Sequence, residues 1–214
     1  MKTLTTKTIL FSIFLLLALS VKAQTDDYAI TKNGDTVKCL MTFPDGFTPT
    51  DHLYLGGANI KYRTGDTYKE GTISPFDFKE FYCFREKLLC RSVFIKAEEG
   101  RTFMKVLEKG KINLYQFAYP GFNITNQSRN QSYYVIWYVS KGSDTVKELK
   151  TDGFIMKSRK KERLDNLAEM LMDNKAVYDK FMVKNVFSFG RLRNFVHLYN
   201  TGELWNNRNI SDLP

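Results

Sequence analysis

The sequence predicts an α+β fold: a predominantly antiparallel β-sheet or partial barrel followed by three short C-terminal helices. Three observations carry this. Residues 25 to 150 alternate β-branched and aromatic runs with turn formers, in a chain that is 14 % aromatic, and flat rings cover a pleated surface well. Three segments repeat one turn chemistry: Asn33-Gly34-Asp35-Thr36-Val37-Lys38, Thr64-Gly65-Asp66-Thr67-Tyr68-Lys69 and Gly142-Ser143-Asp144-Thr145-Val146-Lys147. Asn-Gly and Gly-Asp tolerate the positive φ of a tight hairpin, and the threonine starts the return strand. After Asp152-Gly153 the apolar spacing becomes helical. Strands first and helices last is the α+β order.

The chain opens on a segment with a separate role. Lys2 and Lys7 precede the continuous apolar stretch from Ile9 to Ser20, and Val21-Lys22-Ala23 places small residues where a signal peptidase reads. Residues 1–23 therefore read as a secretory signal peptide. Twelve apolar residues span roughly 18 Å as a helix, short of the ~30 Å bilayer core. Cleavage after Ala23 leaves 191 residues, one domain able to bury a core of its own. The β-rich body is residues 24–152, the helical cap packed on the sheet 153–201, and the flexible tail 202–214.

Within the body, strands are expected over Ala58 to Arg63, Lys79 to Phe84, Leu88 to Ala97, Arg101 to Leu107, Lys111 to Tyr119, Tyr133 to Ser140 and Val146 to Lys150. On the Lys111 strand, Tyr115, Phe117 and Tyr119 fall on one face and Ile112 and Leu114 on the other, so the strand is central or covered. The three rings are candidate binding aromatics if exposed as a patch; core packing is the competing reading. Residues 120–132 form a long polar loop. In the cap, Leu164, Leu167, Ala168 and Leu171 have the spacing of an amphipathic helix. Asp173-Asn174 interrupts it and can cap a second helix, with Val177, Tyr178, Phe181 and Met182 on its apolar face. Ser188 precedes a third, with Leu192, Phe195, Val196 and Tyr199.

Charge and cysteine content bound the function. Three of the 32 basic residues lie in the leader, leaving 29 against 23 acidic ones, a net of +6. Lys157, Arg159, Lys160, Lys161 and Arg163 cluster; on an exported chain this reads as a solvated helix face, with weak attraction to an anionic surface, and not as a nucleic-acid site. The chain holds three cysteines, Cys39, Cys83 and Cys90, and export exposes them to an oxidising compartment. If Glu86-Lys87 is a two-residue turn, Cys83 stands opposite Cys90 and the two form a candidate disulfide, with three reduced thiols as the alternative. Cys39 stays unpaired in either case.

No chemistry is legible as a motif. Hydrolysis by a nucleophile needs a base held by a third group, and the two histidines, His52 and His197, lie in a loop and beside an apolar helix face. The adjacent acids Glu98-Glu99 and Asp26-Asp27 read as a solvated turn and a mature terminus, since strand neighbours point to opposite faces. No cofactor or metal is predicted. The expectation is a non-enzymatic protein binding a partner, envelope component or small ligand; the alternative is a hydrolase whose site assembles only in space.

The stretches Tyr28 to Met41 (YAITKNGDTVKCLM), Arg91-Ser92-Val93, Phe103 to Phe117 (FMKVLEKGKINLYQF) and the helical end with Asp173 and Tyr199-Asn200 resemble a group of exported, uncharacterised β-rich proteins of Bacteroidota. The resemblance implies a periplasmic or secreted location and transfers no catalytic residue. Some relatives with this opening continue into an outer-membrane barrel, whereas this sequence continues into helices, so the resemblance implies no membrane link, and any peripheral membrane contact is expected to be weak. In that setting Asp35-Thr36-Val37 and Asp144-Thr145-Val146 resemble O-glycosylation triplets, which turn chemistry also explains.

Overall fold

The computed structural model describes residues 27–42, 59–64, 67–121, 132–152, 159–183 and 187–205. The leader, His52, the middle of the 120–132 loop and the end of the tail lie outside them. The described residues form the expected α+β fold. Its strands are β1 (Tyr28–Thr31), β2 (Thr36–Thr42), β3 (Asn59–Thr64), β4 (Thr67–Thr72), β5 (Phe78–Cys83), β6 (Leu88–Ile95), β7 (Gly100–Glu108), β8 (Ile112–Gly121), β9 (Ser132–Lys141) and β10 (Thr145–Thr151). Three helices follow: α1 (Lys160–Leu171), α2 (Lys175–Val183) and α3 (Phe189–Thr201).

Turn chemistry sets the hairpins. Gly34 takes φ +100° between β1 and β2, and Gly142 takes φ +70° between β9 and β10. The first turn closes with Thr31 N–H donating to the Asp35 carbonyl at 2.9 Å, while Thr31 Oγ1 accepts from Asp35 N–H.

The strands form one ten-stranded sheet in the order β10-β9-β8-β7-β6-β5-β1-β2-β3-β4, antiparallel throughout except where β10 also pairs with β6. That parallel contact, Thr145 opposite Phe94 and Val146 opposite Ile95, closes β6 to β10 into a five-stranded barrel. Its interior holds Val93, Ile95, Met104, Tyr115, Phe117, Ile136, Tyr138 and Val146. β5 uses the same edge of β6 over Leu88 to Arg91. Half of β6 thus closes the barrel, and the other half leads into the open sheet β5-β1-β2.

The outer wall of the barrel buries a second layer. Ile112, Leu114, Trp137, Val139 and Leu149 pack against Leu167, Leu171, Val177, Phe181, Leu192 and Val196 of the helices. β8 is therefore covered on both faces, as its two-sided apolar pattern requires. Trp137 meets Phe189 edge-on at 4.7 Å and Phe181 meets Phe195 at 5.2 Å. The helices start where side chains cap them: Asn174 Oδ1 accepts from Val177 N–H, and Ser188 Oγ from Arg191 N–H. Arg163 departs from the solvated basic face: it is buried, its Nη2 2.6 Å from Glu148 Oε1.

A smaller core lies beneath β1, β2, β5 and β6, built from Ala29, Met41, Ile73, Phe81, Cys83, Leu88, Cys90 and Phe103. Here the predicted register is corrected. Cys83 stands opposite Leu88, and Phe81 opposite Cys90; the turn spans residues 84–87, with Lys87 at φ +48°. Phe84 ends the strand because its N–H donates to Asp27 on β1's side while its carbonyl accepts from Lys87 N–H. Cys83 and Cys90 become diagonal neighbours, a pairing that sets residues roughly 7–8 Å apart, the Cβ atoms somewhat closer. A disulfide needs about 3.5–4.5 Å, and all three cysteines are free.

Candidate binding face

The branching of β6 determines what is left open. Alternation places Val93 in the barrel and Arg91, two residues earlier, on the same face at the barrel's end. Glu80 of β5 stands directly opposite Arg91. Its carboxylate is buried and accepts from Arg91 Nη2 at 2.8 Å and Nε at 3.2 Å, from Lys109 Nζ at 3.3 Å and from Tyr28 Oη at 3.4 Å. A buried carboxylate needs such partners, since without them it would bind a proton. Burial opposes the Arg91 charge, but the bonds to Glu80 and the nearby Tyr115 phenol prevail and raise its pKa. Burial, then the charge and hydrogen bond of Glu80, push the Tyr28 phenol up.

Beyond this layer the same face carries aromatic and apolar side chains. Tyr28 pairs with Tyr82 in the β1–β5 ladder, their rings 5.6 Å apart. One row further out are Leu40 and Phe84, 54 % and 45 % exposed. Asp27 holds that row together. Its Oδ2 accepts from Met41 N–H at 2.8 Å, its Oδ1 from Phe84 N–H at 2.7 Å, and its carbonyl from Cys39 N–H at 3.1 Å. Asp27 is buried, which corrects its reading as a solvated terminal acid. Along the strand axis the face runs from a buried ion pair, through two phenols, to exposed Phe84 at the turn and exposed Leu40 on β2.

The thiols behind this face sit where the thiolate is disfavoured. Burial first, with Asp27 and Cys83 adding, pushes the Cys39 thiol up to about 12. Burial also raises Cys90 well above its ordinary value, and raises Cys83 against opposing turn N–H groups. Nucleophilic or metal-binding cysteine needs the thiolate, which these surroundings disfavour.

The candidate aromatics have another role. Tyr115 and Phe117 are 1 % and 5 % exposed inside the barrel, so they form its core and not an exposed patch. Tyr115 Oη meets Ser140 Oγ at 3.4 Å. Tyr119, on β8, stands opposite Tyr134 of β9. His197 faces Glu108, Nδ1 to Oε2 at 3.0 Å, and Glu108 Oε1 accepts from Arg193 Nε at 2.7 Å. Arg193 also donates to the Leu107 carbonyl and lies over Trp205. This cluster ties α3 to β7; among the described residues no hydroxyl or thiol contacts the imidazole. Thr36 and Thr145 are exposed at the starts of β2 and β10.

Glu80, Arg91, Asp27, Tyr28, Tyr82, Leu40 and Phe84 were not singled out as a site from sequence. One signal pointed there: Arg91 lies within the apolar run of β6, where a charge requires a partner. In comparison with known proteins, no family model, no curated protein and no solved structure matches the chain.

Proposed function

We propose that this is an exported, non-catalytic envelope protein that binds a partner, envelope component or small ligand through the open face of β5-β1-β2. The observation that carries the reading is the graded face itself. Half-buried tyrosines and exposed Leu40 and Phe84 sit on a backbone tied by the hydrogen bonds of Asp27, beside the Glu80–Arg91 pair. A face already ordered costs little conformational entropy when it binds. The leader and the resemblance to exported Bacteroidota proteins support a periplasmic or secreted location, and the paired charges support structural roles for the ionisable groups. The hydrolase alternative centres on His197, which Glu108 orients.

The test is site-specific photo-crosslinking of the full chain in cells, with the crosslinker at Tyr82 or Phe84 and, as a control, at Asp179 on exposed α2. Adducts from positions 82 and 84 and not from 179 are expected. No adduct at the face, together with esterase, peptidase or glycosidase turnover that vanishes in His197→Ala, would replace this reading with the hydrolase.

A further inference from the structure

We propose that the partner of this face is an anionic lipid surface, with Phe84 and Leu40 inserting and Arg85 and Lys87 meeting the headgroups. This rests on the binding-face reading and names its partner class. Three features argue for lipid over an acidic protein. Phe84, exposed, sits at the tip of the β5–β6 hairpin, residues 84–87, and exposed Leu40 lies on β2, two strands away at the same end of the sheet. The tip reads Phe84-Arg85-Glu86-Lys87, with Arg85 and Lys87 exposed and Glu86 half-buried, so its outward charge is basic. Behind it, the Tyr28 and Tyr82 phenols form the next row, the order in which side chains enter a bilayer interface: apolar groups deepest, aromatic hydroxyls at headgroup level. Binding through such a surface scales with buried apolar area plus attraction to anionic lipid, so neither part is expected to hold alone. Asp27 fixes the Met41 and Phe84 amides and thereby the spacing of the two inserting side chains.

The full chain is expressed, and the processed product is sedimented with vesicles of phosphatidylcholine alone or mixed with phosphatidylglycerol. Binding to the mixed vesicles and not to the neutral ones is expected. Near an anionic surface each basic residue contributes about fivefold in affinity, so Arg85→Gln with Lys87→Gln should weaken binding by roughly 25-fold. Leu40→Glu with Phe84→Glu should abolish it. Matching thermal melts show that the exposed substitutions leave the fold intact. Failure to sediment with the mixed vesicles, equal sedimentation with both kinds, or undiminished binding of Leu40→Glu/Phe84→Glu would overturn the proposal. If sedimentation fails while crosslinkers at 82 and 84 capture a protein, the lipid assignment falls and the binding face stands. If neither lipid nor protein is captured there, both fall.

Discussion

Single residues determine the geometry at two places. Gly110 lies under the Asn200 side chain: a Cβ there would come 2.4 Å from Asn200 Cγ. Asn200 in turn satisfies Ile112 as a strand would, accepting from its N–H at 3.0 Å and donating to its carbonyl at 2.8 Å. Gly110→Ala should therefore push the Asn200 side chain off Ile112, and like Asn200→Ala, which strands two backbone groups, should cost about 1–3 kcal/mol; chemical denaturation measures both. Asp27 is the second place. Asp27→Ala leaves the Met41 and Phe84 amides without their acceptor and should cost at least about 2 kcal/mol, whereas Asp35→Ala on the exposed first turn should change little. The thiols give a pH prediction. Folding raises the Cys39 pKa from 9.0 to about 12, so the folded state favours the protonated form. That contribution is complete below pH 9.0 and fades as pH rises toward about 12. Thiol titration near pH 8 should find no fast-reacting cysteine in the native chain and three after denaturation.

At the scale of elements, the helices depend on their apolar stripes. Leu167, Leu171 and Phe181 lie in the layer between barrel and helices, and truncating one to Ala should cost about 2–5 kcal/mol. Leu164 and Phe195 are only partly buried and should cost less; exposed Lys160→Ala should be near neutral. Urea melts of the six variants check the order. These elements were legible because helical spacing and caps are local: Asn174 and Ser188 stand where the polar breaks in the pattern placed them. The strands were legible for the same reason, and β8 announced both its covers by carrying apolar groups on both faces. The β5–β6 register was not. Glu86-Lys87 looks like a two-residue turn, but Asp27, 57 residues before Phe84 in sequence, takes the Phe84 amide and lengthens the turn. A contact across that distance leaves no local mark. Tyr115 and Phe117 misled for a related reason: alternation gives a side chain's face, and only the closure of the barrel makes that face an interior.

For the whole molecule, the decisive event is that β10 reaches β6 in parallel and shares its edge with β5. Closure by Thr145–Phe94 and Val146–Ile95 joins strands about fifty residues apart, which no turn signature encodes. It gives the barrel a filled interior and makes the β5-β1-β2 sheet an extension on which, among the described residues, Leu40 and Phe84 are exposed. The helices cover the outer wall of the barrel, and the proposed binding face lies on the β5-β1-β2 extension. Oxidative footprinting compares the two directly. In the purified chain Leu40 and Phe84 on the open face, and Met172 and Met182 on the helical side, are exposed and should all be labelled. In intact cells the account predicts protection of Leu40, Phe84, Tyr28 and Tyr82 while Met172 and Met182 stay as reactive as in the purified chain. Unchanged labelling of the open face, or protection confined to the two methionines, would contradict it.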